Sequence, residues 1–78
     1  MLNKLINYIK DDEVSVFILK NKAHVLNYVK VMDISNNKIN IKLKDNILSI
    51  EGSDLLIRKL DKRELLIVGF INKVTFND

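Results

Sequence analysis

Few residues of this 78-residue chain are of types that do chemistry, and their spacing assembles no catalytic or metal motif. His24 is the single histidine, and there is no cysteine. A zinc site takes three or four ligands from His, Cys and carboxylates, so no metal site is expected. Ser15, Ser35, Ser49 and Ser53 have only that one histidine as a base, and no Gly-x-Ser-x-Gly elbow occurs. Asp11-Asp12-Glu13 could attract a hard cation, but a turn ending a helix explains the cluster more simply. Glu51 and Glu64 could face each other across strands as an acid–base pair. Both fall at outward positions, where a solvated or lysine-paired carboxylate is the rule. Gly52 and Gly69 each stand alone, and neither opens a helix, so a phosphate cradle is not expected. They read as structural glycines at a bend or bulge, where a Cβ would obstruct the backbone or φ must be positive. No catalytic residue, metal ligand or cofactor is assigned. The chain is not expected to be an enzyme.

The elements around these residues are mostly strands. Leu2, Leu5, Ile6 and Ile9 have the i, i+3, i+4, i+7 spacing of one helix face, which predicts a short amphipathic helix over 1–10. So short a helix must dock on something to be stable. Strands follow over 14–76. Val14–Leu19 is rich in β-branched and aromatic residues. A turn at Lys20-Asn21-Lys22, where Asn21 could take positive φ, leads to a second strand over Ala23–Val29, with neither face clearly buried. Lys30–Ile34 reads as an extension of it. After the turn Ser35-Asn36-Asn37, Lys38–Leu43 alternates cleanly, with Ile39, Ile41 and Leu43 inward. Further strands are expected over Ile47–Glu51, Leu55–Leu60, Glu64–Val68 and Phe70–Phe76, with a turn at Gly52-Ser53-Asp54. The fold class is mainly β: a small antiparallel meander of about seven short strands, as a sheet, roll or partly open barrel, in one domain spanning 1–78.

Two phrases repeat, Leu48-x-Ile50-x-Gly52 and Leu65-x-Ile67-x-Gly69, seventeen residues apart. In the second, Leu66, Val68 and Phe70 are apolar as well, on the face opposite to Leu65 and Ile67. A strand apolar on both sides needs cover on both. The helix face, a second copy of the chain or a partner protein could supply it. Leu66, Val68 and Phe70 are therefore the candidate partner or self-association face.

Composition limits the rest. Apolar residues make up 47%, too many for a disordered chain and ample for a core. The longest apolar run, Leu65–Ile71, is far short of the roughly 20 residues of a membrane-spanning helix. Met1–Lys10 is too short and polar for a secretory signal, so a soluble intracellular chain without a membrane span is expected. Net charge is +3, and only Arg58 and Arg63 among the basic residues carry the planar fork suited to phosphate or guanine. Solubility accounts for that charge.

From Val31 onward the order of phrases carries a resemblance. Ser35-x-x-x-Ile39-x-Ile41 precedes Leu48-Ser49-Ile50-Glu51-Gly52-Ser53-Asp54-Leu55-Leu56-Ile57-x-x-Leu60. Then comes Glu64-Leu65-x-Ile67-x-Gly69-x-Ile71-x-x-Val74-x-Phe76. This series resembles the YabP/YqfC family of sporulation proteins over about four-fifths of the chain. His24 in Lys22-Ala23-His24 is the one echo of the basic, histidine-containing entry to the second strand that family members often show. The resemblance implies a small, non-catalytic protein of endospore-forming bacteria. It would be made in the cytoplasm of the mother cell, recruited to the developing spore surface, and associated with spore envelope and coat assembly. It also implies a protein partner, in one branch a membrane-anchored sporulation protein.

Two functional classes follow. The first is a structural or protein-interaction module in spore envelope formation, acting as a homo-oligomer or with a partner. The second is a small nucleic-acid-binding β-barrel of the Sm-like or OB type, which a basic, bent meander would suit. Tyr8, Phe17, Tyr28, Phe70 and Phe76 are few and not spaced as a stacking platform, so nucleic acid is the weaker expectation.

Overall fold

The structure, a computed structural model, describes residues 13–78. The predicted helix over 1–10 lies outside them. The described chain forms six antiparallel strands: β1 (Ser15–Leu19), β2 (Lys22–Leu26), β3 (Lys30–Ile34), β4 (Lys38–Lys42), β5 (Ile47–Leu60) and β6 (Glu64–Asn77). They make one open sheet in the order β1-β2-β6-β5-β4-β3.

Three expectations are corrected. There are six strands, not about seven, because Gly52-Ser53-Asp54 does not reverse the chain. β5 runs through it for fourteen residues, and β6 runs through Gly69 likewise. Lys30–Ile34 is a strand in its own right rather than an extension of β2. The sheet is also not a simple meander: β3 to β6 are, but the β1–β2 hairpin pairs with the far side of β6.

Hydrogen bonding explains why the two glycines bend strands instead of ending them. The β5–β6 register shifts between Glu51 and Gly52 and again between Ser53 and Leu56. At these bulges the long hairpin is gripped by the two short ones. Gly52 N–H donates to Asn37 O (3.0 Å) and Leu55 N–H to Asn36 O (2.8 Å). Gly69 N–H donates to Asn21 O (3.2 Å) and Ile71 N–H to Lys20 O (3.4 Å). Positive φ falls at Asp54 (53°), Asn27 (61°) and Gly69 (134°), and neither at Gly52 nor at Asn21. A Cβ on Gly52 would lie 1.8 Å from the Phe70 carbonyl oxygen, and one on Gly69 2.5 Å from that of Asp54. Close approach is what Gly52 provides. Gly69 provides both close approach and positive φ.

These contacts expose an internal pseudo-twofold. Shifting the β1–β2 hairpin by sixteen residues (Asn21 to Asn37) matches its contacts to those of β3–β4, provided the matching segment of β6 is shifted back by seventeen (Gly69 to Gly52); past the bulge the match slips by one residue, Ile71 corresponding to Leu55. Ala23 and Val25 pair with Ile67 and Leu65 as Ile39 and Ile41 pair with Ile50 and Leu48. Asn27 N–H bonds Arg63 O as Leu43 N–H bonds Asn46 O. The first half is thus β1, β2 and the start of β6, and the second is β3, β4 and the start of β5. Both halves contribute side chains to one core.

That core is Ala23, Val25, Ile39, Ile41, Leu43, Leu48, Ile50, Leu55, Leu65 and Ile67, all buried. The inward Ile39, Ile41 and Leu43 of the sequence pattern are among them. Pairing also settles β2, whose own pattern was ambiguous: Ala23 and Val25 face in because Ile67 and Leu65 do. Tyr28, in the β2–β3 connection, donates its hydroxyl to the Asp61 carbonyl and so ties that connection to the β5–β6 turn. Its pKa is raised, first by burial and then by the Asp61 carboxylate.

Candidate interaction face

The outer faces of the two halves share a backbone plan and differ in chemistry. In the second half, the row Asp33–Asn40–Ser49 crosses β3, β4 and β5. Asn40 Nδ2 donates to Asp33 Oδ2 (3.1 Å), and Ser49 Oγ donates to Asn40 Oδ1 (2.7 Å). Asn77 Nδ2 also reaches Ser49 Oγ (3.5 Å). The row beside it pairs Lys38 with Glu51 and Glu51 with Lys73, alternating in charge. Both rows are polar throughout, with Ser49 buried within its hydrogen bonds.

The corresponding rows of the first half are Phe17–His24–Leu66 and Leu19–Lys22–Val68–Leu56. Apolar side chains stand where the other half has Asp33, Ser49, Glu51 and Lys73. Phe17, Leu66 and Val68 are half-buried, while Leu19 and Leu56 are exposed. Phe70 is 62% exposed. Its neighbour Ile71 packs on the core, so Phe70 projects outward beside this face. The three residues singled out from sequence therefore stand on the outer side of β6, Leu66 and Val68 in the apolar rows and Phe70 at the bend. Leu56 joins them from β5, beside β6, and Phe17 and Leu19 from β1, across β2, a placement that no local pattern announces.

One polar cluster crosses the apolar rows. Glu64 accepts from His24 Nε2 (2.6 Å) on one oxygen and from Lys59 Nζ (2.8 Å) on the other. Lys59 also lies 3.8 Å from Asp61. The Glu64 carboxyl is held below its ordinary range, first by the Lys59 hydrogen bond and then by that of His24. The Lys59 ammonium is raised, chiefly by the hydrogen bond to Glu64. Phe17 lies against the imidazole, with ring centroids 6.3 Å apart. The postulated Glu51–Glu64 pair is not formed: Glu51 sits opposite Lys38 and Lys73, and Glu64 opposite Leu26, in different halves. Among the described residues, no group of three His, Asp or Glu is placed to hold a metal, and no helix is long and apolar enough to cross a membrane.

The Glu64 cluster gives a pH prediction. A carboxyl with a lowered folded-state pKa adds stability that is full above its unfolded value, near 4.5, and lost as pH falls through the folded one. Glu64→Gln should therefore melt slightly below the parent at neutral pH, and the gap should close on acidification below that range. The effect is small because the cluster is partly solvated. Parallel melts across pH check it, and a gap that widens in acid would contradict the assignment.

No curated protein and no solved structure matches this chain. The YabP family model matches residues 12–78, a span that includes all six strands, both bends and both faces. The family suggested by the order of the strand phrases is the family found: the chain belongs to the YabP family.

Proposed function

We propose that this chain is a non-enzymatic sporulation protein, a structural or protein-interaction module of spore envelope and coat formation. Membership of the YabP family supports sporulation as the setting. The observation that carries the interaction reading is the contrast between the halves. The same backbone plan carries Asp33, Ser49, Glu51 and Lys73 at the matching outer positions, so the apolar rows around Leu66 and Val68 are not a requirement of the fold. A protein partner would dock there, with Leu66, Val68 and Phe70 central. A partner anchored in the membrane of the developing spore suits a module that works in the mother-cell cytoplasm and is recruited to the spore surface.

The test uses a fluorescent fusion of the full chain in a sporulating endospore-former. The parent should collect at the developing spore, and Leu66→Lys/Phe70→Lys, folded by circular dichroism, should stay dispersed. A folded double variant that localises as the parent does would count against this face. Zinc, magnesium and ATP should leave the melting temperature unchanged, since a ligand of the native state must raise it by mass action. A clear rise with any of them would reopen the question of catalysis.

A further inference from the structure

The outer edge of the first half carries a second message. Among the described residues, β1 ends the sheet on one side and β3 on the other. An unpaired edge strand is a template for another chain, and proteins guard such edges with charges and bulges. β3 is guarded: it carries Lys30 and Asp33, and its pairing with β4 is bulged between Val31 and Asp33. β1 reads Ser-Val-Phe-Ile-Leu, with no charge, and pairs with β2 without a break in register. The unguarded edge adjoins the apolar outer face, and Phe17 and Leu19 belong to both.

The backbone groups on that edge follow from the ladder. Gly69 N–H bonds Asn21 O, so Asn21, and by alternation Ala23 and Val25, direct their backbone groups at β6. Lys22, His24 and Leu26 then bond β1, through Leu19, Phe17 and Ser15. Val16 and Ile18 are left with N–H and C=O directed away from the sheet.

We propose that a second copy of this chain pairs with β1, antiparallel, about a twofold axis at Phe17. Val16 then stands opposite Ile18 of the second copy, and Ile18 opposite its Val16. The outward N–H and C=O of all four residues meet as hydrogen-bonded pairs, and the two Phe17 rings meet at a non-hydrogen-bonded position, where side chains approach most closely. Ser15 faces Leu19. The five paired residues of each β1 carry no charge, so no like charges meet along the seam. No other strand of the sheet offers this self-complementarity, and the guarded β3 edge keeps the assembly a closed dimer instead of a growing ribbon. The dimer would place two apolar outer faces side by side, and it requires no partner on either.

The test is sedimentation of the full chain across the micromolar range, with amide hydrogen exchange at low and high concentration. The parent should associate reversibly, and the Val16 and Ile18 amides should gain protection only as it does. Ile18→Pro removes an N–H that bonds nothing in the monomer's ladder, so this variant should stay folded and weaken association by about tenfold or more. If the proline variant fails to fold, Ile18→Lys at the same edge position decides. Leu66→Lys/Phe70→Lys should still dimerise, which separates this edge from the partner face. A parent that stays monomeric overturns the proposal, as does an Ile18→Pro chain that associates like the parent. Val16 and Ile18 amides protected in the monomer would also overturn it, because another segment of the same chain would then cover the edge.

Discussion

Gly52→Ala is expected to cost about 4 kcal/mol or more, and Gly52→Val to leave the chain largely unfolded. The added Cβ would sit 1.8 Å from the Phe70 oxygen and 2.8 Å from its carbonyl carbon. Both are backbone atoms of the strand paired with β5, so no side chain can swing aside. Relief would require separating β5 from β6 at the point where Gly52 N–H also bonds Asn37 O. A domain this small has on the order of 4–12 kcal/mol in total, so the loss is a large part of it. Gly69→Ala should be comparably damaging for two reasons: a 2.5 Å approach to the Asp54 oxygen and a φ of 134°. Urea or thermal unfolding followed by circular dichroism measures both. A Gly52→Ala chain melting within a few degrees of the parent would mean the bend is not where the structure puts it, since that corresponds to less than about 1 kcal/mol.

The same glycine shows how far the sequence could be read. Gly-Ser-Asp has the local chemistry of a chain-reversing turn, and positive φ does occur there, at Asp54. What keeps the strand running is remote: Asn36 and Asn37 carbonyls bonding Leu55 and Gly52. Period-two alternation was enough to place Ile39, Ile41 and Leu43 in the core, because burial on one face leaves a local mark. Strand order leaves none. Nothing near Val14–Leu19 says that its hairpin crosses to β6, so Phe17 and Leu19 could not be joined to Leu66 in advance. His24 and Glu64 stand forty residues apart and meet only through the β2–β6 register. The seventeen-residue repeat of the glycine phrases was visible. Its meaning, a pseudo-twofold that allows one half to serve as a control for the other, needed the hydrogen bonds.

That control gives the second prediction, in which the first half is given the outer residues of the second. Leu66→Ser and Val68→Glu copy Ser49 and Glu51, and Phe70→Lys removes the exposed ring beside them. Because the second half folds with those residues at equivalent places, the triple variant should remain folded, losing roughly 1–2 kcal/mol for the half-buried leucine and valine. Docking should suffer far more. Burying Leu66, Val68 and Phe70 against a partner is worth on the order of 4–8 kcal/mol before association costs, so affinity should fall by about a hundredfold or more. Ile67→Ala provides the contrast from the inner face of the same strand. Ile67 is fully buried, and its truncation should cost about 2–5 kcal/mol of stability while leaving docking by the folded fraction intact. Thermal melts and quantitative pull-down from sporulating cells, with concentrations corrected for the folded fraction, separate the two effects. Unfolding of the triple variant would return Leu66 and Val68 to the fold itself. A folded triple variant that still binds at parental strength would move the interface off this face altogether.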